Sequence, residues 1–233
     1  MTEIHNRTVT CLIPAFNEGV RIGAVLRAVV GHPQVCEVLV VDDGSLDDTA
    51  AVVRSVPGAT LIEMPHNSGK TAALVAGIRA AQCSYLLLVD ADLSGLTPEH
   101  ISALLDPVRT GRADVSVSLR ENAPRFWHWL GIDYISGERV LPKSLLDHHA
   151  QTMLALPRFG FEVFLNSLLI SQRSRVAVVR WPGARSPAKR AKMGWSKGLV
   201  ADAKMIGDMA RSVGWTMLVR QIVMLRRMRI RMS

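Results

Sequence analysis

Tyr85-Leu86-Leu87-Leu88-Val89-Asp90-Ala91-Asp92 is an apolar run that closes on two carboxylates. Strand-compatible residues that stop abruptly at acids predict a buried strand delivering acid groups to the edge of a sheet. That edge is where α/β proteins place their chemistry. Two carboxylates at i and i+2 repel unless a cation, a hydrogen-bond donor or a proton lies between them. A divalent ion that also touches a diphosphate meets the need, because Mg²⁺ or Mn²⁺ takes one or two carboxylates plus phosphate oxygens. A strand cap followed by a turn explains the pair equally well on its own, so its meaning depends on what flanks it.

Upstream, the same arrangement recurs. Residues 8–13 are short and β-branched and stop at Pro14-Ala15-Phe16-Asn17-Glu18, after which residues 20–30 carry apolar side chains at helical spacing. A second strand, 37–41, runs into Asp42-Asp43-Gly44-Ser45-Leu46-Asp47-Asp48, and the helix predicted over 49–55 begins behind those acids, as the macrodipole favours. Residues 60–63 begin a third round. His66-Asn67-Ser68-Gly69-Lys70-Thr71 then leads into an Ala-rich helix over 72–81. Its Gly-Lys-Thr resembles the end of a P-loop, but the glycine needed five residues before Gly69 is absent, since Met64 stands there. Lys70 at a helix start is still placed to meet an anion. The repeated β-α pattern predicts an α/β fold with a mostly parallel central sheet flanked by helices.

Past residue 113 the pattern loosens. A helix over 98–110 and a strand over 114–119 precede a stretch that mixes Arg120, Arg125, His128 and bulky aromatics; residues 136–142 read as a polar turn before a helix over 143–149. Glu162 sits inside an apolar segment that continues as a helix through 170, and 176–180 is a strand. Residues 181–198 read as a mobile basic loop, and 201 onward as a helix with Met205, Ile206, Met209, Val213 and Leu218 on one face. Its end interleaves Arg226, Arg227, Arg229 and Arg231 with Leu225, Met228 and Ile230.

Composition narrows the class. The 233 residues suffice to bury a core, and 48% hydrophobic content with only 5% aromatics is globular and not disordered. The net charge of +8 is uneven, with Lys and Arg crowding the region after Arg180. Such a basic third suits phosphates or anionic lipid, whereas no strand interleaves aromatics with basic residues as single-strand RNA binding requires, so nucleic acid is not expected. Cys11, Cys36 and Cys83 lack metal spacing and sit among apolar residues, which predicts reduced core thiols in a cytosolic protein. The first residues hold no apolar core of signal length, and no run of about 18 apolar residues predicts a membrane span.

Taken together, Ile13-Pro14-Ala15-Phe16-Asn17-Glu18, Val40-Val41-Asp42-Asp43-Gly44-Ser45 with Asp48-Thr49, Asn67-Ser68-Gly69-Lys70-Thr71-Ala72-Ala73 and Asp90-Ala91-Asp92 resemble the family 2 glycosyltransferases of GT-A fold, a group that includes polyprenyl- and dolichyl-phosphate sugar transferases. The resemblance covers residues 8–96 and weakens beyond about 113. It implies one Rossmann-like GT-A domain over 1–200, with a nucleotide-sugar half (1–112) and an acceptor half with the basic loop (113–200), followed by a basic amphipathic helical tail (201–233). It implies metal-dependent, inverting transfer of a sugar from a UDP- or GDP-type donor to a phosphorylated lipid, another phosphorylated acceptor or a glycan. Pro14, Ala15, Asn17, Glu18, Asp42, Asp43, Lys70, Asp90 and Ala91 would line the donor pocket. Asp92, with Asp90, would hold Mg²⁺ or Mn²⁺. Glu162 would be the base that takes the acceptor's proton. Gly137-Glu138-Arg139 resembles an acceptor-side motif in which Arg139 would meet an anionic acceptor or the diphosphate.

One departure concerns the late loop, where many relatives carry a His. Here Arg185, Lys189 and Lys192 would clamp the diphosphate instead. The arginine-rich end would dock the protein peripherally on the inner face of the cell membrane. Two other readings remain open: a sugar nucleotidyltransferase, whose glycine-rich basic loop after the first strand has no counterpart in residues 14–19, and a catalytically silent membrane-binding module, against which the intact Asp90 and Asp92 argue.

Overall fold

A computed structural model of the chain describes residues 9–157, 160–186 and 214–230. The first half alternates strand and helix: β1 (Val9–Ala15), α1 (Gly19–Val29), β2 (Val35–Asp42), α2 (Thr49–Arg54), β3 (Thr60–Glu63), α3 (Lys70–Ala80), β4 (Tyr85–Leu88) and α4 (Pro98–Arg109). The second half continues with β5 (Val115–Arg120), α5 (Arg125–Leu130), β6 (Arg139–Pro142), α6 (Ala150–Leu154), α7 (Gly160–Ser171), β7 (Val176–Trp181) and α8 (Trp215–Met228).

All seven strands join one sheet in the order β3-β2-β1-β4-β6-β5-β7. Pairing is parallel except where β6 runs antiparallel between β4 and β5. Helices cover both faces, which explains why β4 and the second half of β2 read as apolar runs. In β1, Val9, Cys11 and Ile13 enter one core with Ile22, Leu26 and Leu104, while Leu12 points to the other side among Leu74, Ile78 and Leu165. With both faces dry, a polar residue inside a strand needs its own partner, as Thr10 has in Glu37 and Ser116 in the Leu104 carbonyl. The result is the expected single α/β domain with a mostly parallel sheet flanked by helices.

The structure corrects several expectations. Residues 139–142 are a central strand, not part of a polar turn; the charges that disguised it, Glu138 and Arg139, are buried but satisfied by partners. The helix predicted over 143–149 is a 3-10 turn (Lys143–Leu145), and helix resumes only at Ala150. Leu218, Gln221 and Leu225 of α8 are buried, so this helix packs on the domain. Gln221 donates to Ser167 of α7 at 2.7 Å, and Arg229 donates to the Gly131 carbonyl at 2.6 Å. Lys189, Lys192, Met205, Ile206, Met209, Val213 and Arg231 lie outside the described residues, as does most of the predicted basic loop. No helix among the described residues is long and apolar enough to cross a membrane.

The cysteines also differ from expectation. Cys36 is disulfide-bonded to Cys83, and only Cys11 is a free core thiol, its pKa raised by burial. The register of β1 against β2 slips between Val9 and Thr10, which makes Cys36 the extra residue of a bulge. A bulge re-aims its side chain, so the alternation that would have buried Cys36 fails there. The bond straps β2 to the start of β4 across 47 residues of chain. Reduction, or Cys36→Ser, is therefore expected to lower unfolding stability by on the order of 2–4 kcal/mol. Denaturant melts with and without dithiothreitol measure it, and coincident midpoints would show that the strap contributes nothing.

Candidate active site

Strands β1 to β4 end at one edge, and their loops carry the acids. Asn17, at φ 55°, accepts from the Leu46 amide through Oδ1 at 2.8 Å, while its own amide donates to the Ser45 hydroxyl at 2.9 Å. The Glu18 amide donates to Thr49 Oγ1 at 2.8 Å. These bonds lock the first loop to the second. Gly44, at φ 71°, lets that second loop touch the backbone of His66 and Asn67, where a Cβ would stand 2.7 Å from the His66 carbonyl carbon.

Asp42 and Asp43 are adjacent and both buried, yet they face different tasks. Asp43 receives the amides of Ser68 and Gly69 at 2.8 and 2.7 Å, so its two oxygens shape the loop that launches α3. Asp42 accepts from the Ser45 amide and hydroxyl through Oδ1, leaving Oδ2 for another donor. Ala15, opposite Asp42 in the sheet, and Ala91 are buried, and Pro14, opposite Val41, is half-buried.

The loop behind α3's start places Lys70 against the acids of the next strands. Its Nζ lies 2.7 Å from Asp90 Oδ1 and 3.4 Å from Glu162 Oε1. Burial alone would lower the Lys70 pKa, but the charges of Asp90 and Glu162 outweigh it and raise it. Burial likewise works against ionised Asp90, and the Lys70 ammonium overcomes it, holding that carboxyl below its ordinary value. Residues 20 and 92 positions from Lys70 in sequence thus converge on one ammonium.

Asp92 stands in the opposite situation. Among the described residues no donor bonds its carboxylate, and burial followed by the negative charges of Asp90, Glu18 and Glu138 pushes its pKa up to about 6. Asp92 is therefore short of positive charge. No three His, Cys, Asp or Glu side chains among the described residues converge as a protein-only metal cage. A cation held by one or two carboxylates and completed by phosphate oxygens fits this donor set.

The acceptor-side motif is arranged differently from expectation. Arg139 is buried and faces the protein: Nε donates to the Ser136 carbonyl at 2.8 Å, Nη1 to Asn166 at 2.6 Å and Nη2 to the Tyr134 carbonyl at 3.0 Å. With every nitrogen engaged, Arg139 frames the 134–138 loop and does not offer its guanidinium to an anion. That loop presses Gly137 onto the acids, so that a Cβ there would stand 2.7 Å from both Asp90 oxygens.

Arg120 is the side chain that sequence reasoning passed over. It reaches Asp133 at 3.3 Å, Glu138 at 3.4 Å and the Ser186 hydroxyl, and its positive charge reaches both Asp90 and Asp92. Burial disfavours its charge, but Glu138, Asp133 and Asp90 together raise its pKa. The signal was present: an arginine ends β5 at the same edge as Asp90. Arg185 pairs with Glu121, and its backbone bridges Ser94 just beyond Asp92, which brings the start of the late loop beside the acids.

Residues 10–157 match the family described as Glycosyl transferase family 2, and the chain belongs to it. A 4,4'-diaponeurosporenoate glycosyltransferase of Staphylococcus aureus (strain MRSA252) is 34% identical over 107 residues, 44% of this chain and 28% of that protein. The chain thus spans under a third of the length of that curated relative. Glucosyl-3-phosphoglycerate synthase of Mycobacterium tuberculosis, solved with phosphoglyceric acid, superposes with a TM-score of 0.67 at 22% identity, covering 93% of this chain and 80% of that one. The same enzyme solved with Mn²⁺, UDP-glucose and phosphoglyceric acid gives the same score and coverage. The likeness is one of fold.

Proposed function

We propose that this protein is a metal-dependent, inverting glycosyltransferase that moves a sugar from a nucleoside diphosphate sugar, UDP- or GDP-linked, to a phosphorylated acceptor, with a lipid phosphate first and other phosphorylated molecules or glycans next. The observation that carries the reading is the convergence of Asp90 and Glu162 on the Lys70 ammonium beside the cation-seeking Asp92. Residues 1–112 form the donor half and 113–200 the acceptor half, with 201–233 as a tail.

The roles follow from the chemistry of each group. Asp42 presents only acceptors, which suits the N–H and O–H donors of a base and ribose. Lys70 has three protons and two carboxylate partners, so one proton remains for a diphosphate oxygen. Glu162, buried at the start of α7, accepts the proton of the attacking hydroxyl. The new bond forms from acceptor oxygen to anomeric carbon as the bond to the diphosphate oxygen breaks. Negative charge then grows on the departing diphosphate, next to Lys70 and Arg185. A bound Mg²⁺ or Mn²⁺, held by Asp92 with Asp90 beside it, supplies Lewis-acid neutralisation of that charge. The names of the relatives, one binding Mn²⁺ and UDP-glucose, favour UDP and Mn²⁺ as the first pair to try.

Calorimetric titration of UDP, GDP, CDP and dTDP, each with and without Mn²⁺, tests the donor site. Binding of one nucleotide that requires the metal supports the proposal, and no binding of any under either condition overturns it. Gly137→Ala provides a second check. The added methyl must displace Asp90 or the 134–138 loop, and a misplacement of about 1 Å costs on the order of 10²-fold in turnover. Turnover is expected to fall by that factor while the thermal midpoint moves by only a few degrees; unchanged turnover would mean that the position of Asp90 is not critical.

A further inference from the structure

We infer that α5 and the outward face of α8 form one docking surface for an anionic lipid bilayer, and that this surface borders the acceptor side of the site. Helix α8 buries Leu218, Gln221 and Leu225, so Trp215, Val219 and Val223, spaced at i, i+4 and i+8, lie together on its outer flank and are exposed. From α5, Trp129 is 72% exposed and stacks with exposed Phe126, ring centroids 6.2 Å apart. The two groups are continuous, because the Arg226 guanidinium of α8 lies 5.6 Å from the centre of the Trp129 ring. A contiguous apolar patch of this kind on a water-facing surface marks an interaction site.

Charge selects the partner. From 215 to 230 the chain carries Arg220, Arg226, Arg227 and Arg229 and no Asp or Glu, and 125–131 carries none either. Arg229 is engaged with the Gly131 carbonyl, whereas Arg220, Arg226 and Arg227 are exposed. Nucleic acid would satisfy the arginines and leave the tryptophans, phenylalanine and valines wet. A bilayer interface takes both, with indole rings at headgroup depth and arginines on anionic headgroups. Leu225 is buried and Met228 half-buried, so the apolar part of the surface is made by the tryptophans, Phe126 and the valines.

Position links the surface to the site. The segment that leaves α5 at Gly131 ends with Gly137 against Asp90, and buried Tyr134 midway along it donates to Gln221 of α8. A bilayer resting on Trp129 and Trp215 would therefore border the loop through which an acceptor is met. The inference rests on the proposed transferase reading only for what the docked protein acts on.

Sedimentation of the full chain with vesicles tests it without donor or acceptor. Phosphatidylcholine vesicles that contain phosphatidylglycerol should carry the protein down at low salt and far less at high salt, and pure phosphatidylcholine should carry little. Arg226→Glu with Arg227→Glu should weaken partition by at least about thirtyfold, at roughly 1 kcal/mol per arginine lost. Trp129→Ser with Trp215→Ser should abolish it while leaving circular dichroism and the thermal midpoint unchanged, as both indoles are exposed. Equal binding by the tryptophan variant, or no binding to either vesicle, would overturn the inference. A dimer in light scattering that the tryptophan substitutions dissociate would assign the patch to a second copy instead. Because no sugar transfer is measured, failure here leaves the transferase proposal standing, and the reverse holds as well.

Discussion

Asp92→Ala is expected to abolish metal-dependent nucleotide binding and to lower sugar transfer by ~10³-fold or more, the range seen when one preorganised electrostatic contact to developing charge is removed. The reasoning starts from what surrounds the carboxylate. Burial, then Asp90, Glu18 and Glu138, push its pKa up to about 6, above the ~3.9 of an unfolded aspartate. The folded chain therefore holds an extra proton between those values, and by linkage Asp92 stabilises the fold at low pH and loses that contribution as pH rises from about 4 to 6. Without metal, the alanine variant should be at least as stable as the wild type above pH 6. A divalent cation competes with the same proton, so wild-type affinity for the Mn²⁺-nucleotide pair should fall by about tenfold per pH unit below pH 6. The variant should show no such limb. Calorimetry across that range decides the matter, and metal-dependent binding retained by Asp92→Ala would remove Asp92 from the ligand set.

How far the sequence revealed these groups depended on what surrounds each one. Strands β1 and β4 and the second half of β2 are covered on both faces, so they read as apolar runs, and the acids that follow them stand out for lack of any role in the core. Asp90, Asp92 and Lys70 were legible for that reason. Strand β6 was not, since Glu138 and Arg139 are buried with full sets of partners and a pattern of polarity cannot distinguish a satisfied buried charge from a solvated one. Arg139 illustrates the consequence. Its residue type suits an anion, yet its surroundings direct it to two backbone carbonyls and Asn166. Asp43 and Asp42 carry identical side chains, and only the positions of Ser68 and Gly69 show which one is a loop brace. Cys36 escaped for a third reason: it was read as a core thiol from its apolar neighbours, and a single inserted residue in β2 re-aims it.

Glu162→Gln carries the second large effect. Glu162 is contributed by the first turn of α7, with its carboxylate 3.4 Å from Lys70 Nζ and its charge felt by Arg139 and Tyr134. Lys70 bonds one of the Glu162 oxygens, and among the described residues no other donor bonds the carboxylate, which leaves an oxygen for a hydroxyl proton. The amide keeps size and polarity but cannot take the proton, so turnover should fall by on the order of 10²–10⁴-fold. Donor binding should stay within about twofold of the wild type, because the nucleotide contacts proposed here come from Asp42, Lys70 and Asp92. This separation distinguishes the base from the neighbouring acids, since Asp92→Ala is expected to lose binding and turnover together. Matched calorimetry and initial rates on the two variants make the comparison. If Glu162→Gln weakens donor binding as much as it slows transfer, Glu162 is a partner that holds Lys70 in place, and the base must be sought elsewhere on the acceptor side.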